Sequence, residues 1–138
     1  GPVLFQLPPS WHANPDRLAS FLDAVPEGLE SAFEFRDESW FDDDILEVLR
    51  SHGAAFCVYH LAGRLAPREV TADFVYVRLH GPGDRYEGSY DREALSGWAG
   101  AFTAWARRGL DVYCYFDNDD SGHAARNAVS LAGMLDAW

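Results

Sequence analysis

Phe74-Val75-Tyr76-Val77-Arg78-Leu79-His80, closed at once by Gly81, is the stretch whose reading decides the fold. β-Branched and aromatic side chains fill it, and charge appears only at its carboxyl end. A strand with one wet face alternates apolar and polar residues, whereas a near-continuous apolar run belongs to a parallel sheet covered on both faces. Four further runs are built the same way: Val3-Leu4-Phe5-Gln6-Leu7, Ala32-Phe33-Glu34-Phe35-Arg36, Ala55-Phe56-Cys57-Val58-Tyr59 and Val112-Tyr113-Cys114-Tyr115-Phe116. Each ends in polar residues, and four of the five lead into amphipathic helices. That alternation predicts parallel βα units in one sheet, either doubly wound or part of a barrel.

The connecting segments carry the helix signals. Asn14 and Pro15 make a cap followed by proline at the first helical position, and Leu18, Phe21, Leu22 and Val25 then recur on one face. Asp42, Asp43 and Asp44 suit the start of a second helix, which Gly53 stops. Asp91 caps a third, striped by Leu95, Trp98, Phe102 and Trp105, and a last helix carries Ala125, Ala128, Leu131, Ala132 and Leu135. The connection Leu61-Ala62-Gly63-Arg64-Leu65-Ala66-Pro67 is too short and too rich in glycine and proline for a full helix.

A chain of 138 residues, 48% hydrophobic and 14% aromatic, has room for one ordinary folded domain over 1–138. Its net charge of -11 sets 22 acidic residues against 11 basic ones, every one of them arginine. That sign repels phosphate backbones, so a nucleic-acid partner is not expected, although a local arginine pair suits one phosphate or carboxylate. No apolar stretch approaches the ~20 residues that span a membrane. With no signal peptide visible, a cytoplasmic location is expected. Cys57 and Cys114 lie inside predicted strands and read as two buried thiols rather than a disulfide. There is no Walker loop, GxGxxG, GxSxG or HExxH, so nucleotide motors, dinucleotide oxidoreductases and serine hydrolases lack their minimum parts.

Several segments together carry a family resemblance. They are Gly1-Pro2-Val3-Leu4-Phe5-Gln6-Leu7-Pro8-Pro9-Ser10, Phe33-Glu34-Phe35-Arg36 with Ser39-Trp40-Phe41, and Val75-Tyr76-Val77-Arg78-Leu79-His80-Gly81. Tyr86-x-Gly88-x-Tyr90, Tyr115-Phe116-Asp117-Asn118-Asp119 and Gly122-His123-Ala124-Ala125-Arg126-Asn127-Ala128 complete the set. In that order they resemble domain-of-unknown-function family 72, the YecE-like proteins. The resemblance implies a TIM-barrel architecture and no particular reaction. A complete (β/α)₈ barrel needs roughly 250 residues and eight strands. By the resemblance the five runs correspond to the C-terminal strands, four to eight, with the N-terminal βα units expected to be absent. An incomplete barrel exposes two sheet edges, so the missing half or self-association is an expected partner.

In parallel α/β folds ligands sit at the carboxyl ends of strands. Glu34 and Arg36 share strand parity, as do Tyr76, Arg78 and His80. A carboxylate beside two guanidinium groups stays ionised, and the arginines are suited to fork onto an anionic ligand. The competing reading is an ion-pair layer that merely fills the barrel. Glu34 and His80 are the acid–base candidates, with Arg36 and Arg78 as an anion clamp and Gln6 at the first strand end. His60 also ends a strand but reads as structural, and His12 and His52 as surface residues. Asn118 and Asp119 are ligand or metal contacts, the Asp117–Asp120 run offering oxygens to magnesium or manganese. The plainer reading of that run is a turn, with Asp120 or Ser121 capping the last helix. Arg126 and Asn127 in the first turns of that helix are placed to help bind a phosphate, against repulsion from Asp119 and Asp120. Tyr86 and Tyr90 with their glycines read as a lid, or as a surface loop packed on its own tyrosines.

The reading is an enzyme of unassigned reaction acting on a small anionic or polyhydroxylated ligand. A non-catalytic ligand-binding or scaffold protein is the alternative. A metal-assisted phosphoester or nucleic-acid hydrolase is a third, set against the acidic charge.

Overall fold

The computed structural model describes residues 1–83, 88–118 and 122–136. The strands are β1 (Val3–Gln6), β2 (Ser31–Glu34), β3 (Ala55–Leu61), β4 (Arg64–Leu65), β5 (Phe74–Leu79) and β6 (Asp111–Phe116). The helices are α1 (Pro15–Ala24), α2 (Asp43–Ser51), α3 (Arg92–Arg107) and α4 (His123–Asp136). Five parallel strands follow one another in the order β1-β2-β3-β5-β6, with β4 paired to β3 alone. This is the expected fold class: an α/β fold and an incomplete TIM-type barrel. The chain divides into two compact units, Gly1–Val58 with Pro67–Tyr76, and Tyr59–Ala66 with Val77–Trp138.

In the first unit the register runs Leu4↔Ala32, Phe5↔Phe33, Gln6↔Glu34, then Ala32↔Ala55 and Phe33↔Phe56. Every side chain of β2 is buried, as a doubly covered strand requires. The core is aromatic: Phe33, Phe35 and Phe56 are each at most 2% exposed, and Phe35 stacks on Trp40 with ring centroids 4.7 Å apart. Truncating one such ring to alanine costs about 3–5 kcal/mol through lost transfer energy and the cavity left behind. Asn14 caps α1 by accepting the Arg17 N–H at 3.0 Å, and Leu18 and Leu22 turn inward. Helix α2 buries Ile45, Leu46 and Leu49. Asp42 precedes it without a side-chain capping bond, so the acidic first turn stabilises through the helix dipole.

In the second unit the connection after β3 is a hairpin. Ala62 and Gly63, at φ of 50° and 77°, turn the chain so that His60 pairs with Leu65 and Leu61 with Arg64. Two consecutive positive φ values match the twist of antiparallel strands joined by two residues. Asp91 caps α3 by accepting the Ala94 N–H at 2.7 Å, and the helix buries Leu95, Trp98, Ala99, Phe102 and Trp105. Helix α4 buries Ala124, Asn127 and Leu131. The expected cap residues Asp120 and Ser121 lie outside the described residues. Among the described residues neither cysteine is in a disulfide; Cys57 is buried as expected, whereas Cys114 is only half-buried. Among the described residues no helix is long and apolar enough to cross a membrane.

Candidate functional site

Strand ends place the polar groups. β2 stops at Glu34 and β5 at Leu79, so Arg36 and His80 sit just past the pairing, where the chain turns away. In the first unit Glu34 is fully buried and Arg36 is 7% exposed. The Arg36 Nε donates to Glu34 Oε1, and the Cys57 thiol donates to Glu34 Oε2 at 3.8 Å. The parity argument thus brought Glu34 and Arg36 together correctly, and Cys57 is a partner that periodicity alone does not reveal. Gln6 ends β1, exposed, and lines a cavity of about 800 Å³ with Trp11, Phe21, Phe33 and Trp40 among its walls. Trp11 stays 53% exposed, while its carbonyl accepts the Trp40 indole N–H at 2.8 Å.

In the second unit one carboxylate organises the strand ends. Asp117 follows β6, and its backbone N–H donates to the Leu79 carbonyl at 2.9 Å, which sets it beside the end of β5. Its Oδ2 accepts from Arg78 Nε at 3.0 Å, lies 2.7 Å from a second Arg78 nitrogen, and lies 3.4 Å from His80 Nδ1. The His80 side chain is fully buried, whereas Arg78 and Asp117 keep 16% and 31% of theirs exposed. Asp117 was legible only as part of an acidic run. Its position opposite Leu79 is the signal that separates it from Asp119 and Asp120, which lie outside the described residues with Tyr86.

Two expected ligand contacts turn out to be occupied by the fold. Asn127 is 3% exposed; its Oδ1 accepts the Tyr90 N–H at 3.0 Å and an Asn118 Nδ2 hydrogen at 2.8 Å. Its Nδ2 donates to Ser89 Oγ at 3.1 Å and to the Tyr90 carbonyl at 3.3 Å, so the amide has no group left for a phosphate. Tyr90 is 4% exposed rather than a lid ring, because its hydroxyl accepts the Gly81 N–H and meets His60 Nδ1, both at 2.9 Å. Burial pushes the Tyr90 hydroxyl well above its ordinary value. Burial, and then the nearby His80, hold His60 below its ordinary 6.5, which agrees with a structural His60. Asn118 is fully buried and donates to the Gly88 carbonyl at 2.8 Å, leaving its Oδ1 without a partner among the described residues. Arg126 is exposed, 2.9 Å from His123 Nδ1. Among the described residues no three His, Cys, Asp or Glu side chains converge on a metal position.

Parallel strand–helix units with charged and polar groups gathered at strand carboxyl ends define an α/β protein of the barrel type. The family described as "Protein of unknown function DUF72" matches residues 1–138, and the chain belongs to that family. A DUF72 family protein from Thermotoga maritima is similar at 30% identity and TM-score 0.87, over 96% of this chain and 56% of its own. Two structures of a DUF72 family protein from Enterococcus faecalis are 18% identical, with TM-scores of 0.84 and 0.81. They match over 98% of this chain and over 58% and 61% of their own, and at that identity they show the fold alone. The chain thus spans little more than half the length of the solved structures it matches. No curated protein matches the chain.

Proposed function

We propose that this chain contributes the acid–base centre of an enzyme acting on a small anionic or polyhydroxylated ligand, with His80 as the proton-transfer group. The observation that carries the reading is the single oxygen of Asp117 that faces His80 Nδ1 at 3.4 Å while Arg78 holds it from the other side. A carboxylate against one imidazole nitrogen favours the tautomer protonated there, which makes the other nitrogen the basic one. It also stabilises the imidazolium that results. The contact is an ion-pair distance and not a formed hydrogen bond; catalytic pairs are commonly poorly aligned before substrate arrives and tighten in the reacting complex. Arg78 anchors Asp117 and, being partly exposed, adds positive charge where an anionic ligand would approach. Glu34 is assigned here to orienting Arg36, since both of its oxygens are engaged.

The full burial of His80 favours a second reading, a binding module without chemistry. A thermal-shift panel of phosphate, sugars and sugar acids, read together with the imidazole resonance of His80, separates the two. The enzyme reading expects one class both to raise the melting temperature and to shift the His80 resonance. Stabilisation with a silent His80 supports the binding module, and a panel that moves neither overturns the proposal.

A further inference from the structure

We propose that Tyr90 is a positioning residue for His80: with its own backbone held by the Asn118–Asn127 amide pair, its buried hydroxyl fixes the backbone that carries the imidazole. The inference rests on the reading of His80 as the proton-transfer group. Two peptide N–H groups flank the His80 side chain. Its own donates to the His60 carbonyl at 2.8 Å, and that of Gly81 donates to the Tyr90 hydroxyl at 2.9 Å. The same hydroxyl meets His60 Nδ1 at 2.9 Å, so one oxygen ties both neighbours of the His80 backbone. The Gly81 N–H fills one acceptor site of the hydroxyl, and the direction of its bond with His60 Nδ1 is set by the His60 tautomer. Gly81 sits at φ +121°, a conformation that L side chains rarely adopt, and the chain turns there directly after His80.

Tyr90 is itself clamped. Its N–H and C=O both bond to the one amide of Asn127, whose orientation Asn118 fixes from the end of β6. Three polar contacts thus place one phenol that is 4% exposed. Its ring lies 6.0 Å from that of Phe116 and 5.6 Å from that of His60. A residue needed only to fill space leaves that task to the ring; the hydroxyl acts on the backbone next to His80.

Tyr90→Phe keeps the ring and removes the hydroxyl. Amide exchange of Gly81 in this variant is expected to speed up by about tenfold to a hundredfold, the cost of orphaning one buried donor. The His80 imidazole resonance is expected to move, while that of the remote His52 stays. A lower melting temperature with Gly81 exchange and His80 unchanged makes Tyr90 merely structural and overturns the inference. Faster Gly81 exchange with an unmoved His80 resonance overturns it as well. Wild-type protein supplies a check independent of the variant's folding: a Gly81 amide that exchanges as fast as an open loop refutes the clamp. If both readouts move but no ligand of the panel affects His80, the positioning stands and the acid–base reading falls.

Discussion

Replacing Asp117 by Asn tests the strand-end cluster most directly. The substitution keeps the shape and one acceptor oxygen but removes the charge that two Arg78 nitrogens address at 3.0 and 2.7 Å. A hydrogen bond to a charged group contributes about 1.5–3 kcal/mol against about 0.5–1.5 for a neutral one, so two bonds lose about 2–3 kcal/mol together. Side-chain exposures of 16% for Arg78 and 31% for Asp117 admit water, and screening lowers the expected loss to about 2 kcal/mol. For a chain of this length that corresponds to a fall of roughly 6–10 °C in Tm. Urea unfolding followed by tryptophan fluorescence gives the free energy, with buried Trp98 and Trp105 on α3 reporting the second unit. Removing one negative charge from a chain of net -11 also relieves self-repulsion. The control is therefore Asp111→Asn, an exposed position on β6, expected within about 0.5 kcal/mol of wild type. A loss below about 0.5 kcal/mol for Asp117→Asn, or an equal loss in the control, refutes the organising role of this carboxylate.

Glu34→Gln leaves the Arg36 guanidinium buried against a neutral amide and is expected to cost about 3–5 kcal/mol in urea unfolding, whereas replacing both residues by apolar ones costs less than the single change. His52 bonds the Val48 carbonyl and then the Asp23 carboxylate, and both raise its pKa above 6.5. Its contribution to stability is full below 6.5 and is lost as pH rises through the folded value, so His52→Gln should flatten the melting temperature across that window. His60 has the opposite sign: stability is full above 6.5 and declines as pH falls through the lowered folded value, as a melt series under acid will show. Cys57 is fully buried, whereas Cys114 is half-buried with its thiol pushed up to about 12 by burial, so Ellman's reagent at neutral pH should leave Cys57 untouched and react slowly with Cys114 natively, and react with both in denaturant.

The five main strands and four helices were legible because their signals are local: apolar runs for doubly covered strands, and Asn14 and Asp91 as caps that bond as expected. β4 was not, since a two-residue strand has no periodicity, and only the turn at Ala62-Gly63 marks it. At the strand ends, parity sufficed for Glu34 and Arg36, two residues apart on one segment. Parity says nothing of Tyr90 and Asn127, read from a loop and a helix start, whose partners lie 30 and 37 residues away. An amide or phenol that serves the chain's own backbone looks, in one dimension, the same as one that awaits a ligand. Asp117 was hidden for a related reason, because its distinction from the neighbouring acids comes from the register of β6 against β5.

Among the described residues β1 and β6 stand at the two ends of the strand order, and backbone groups on such strands are what another chain, or the rest of a barrel, pairs with. What keeps copies apart in dilute buffer is then a colloidal matter. The net charge of -11 gives each molecule a long-range repulsion that acts before any edge meets another. That barrier thins with added salt and vanishes near the isoelectric point of about 4.6. Mild acid is therefore the condition in which this protein changes from a dispersed particle to a sticky one, well before its carboxylates are all protonated.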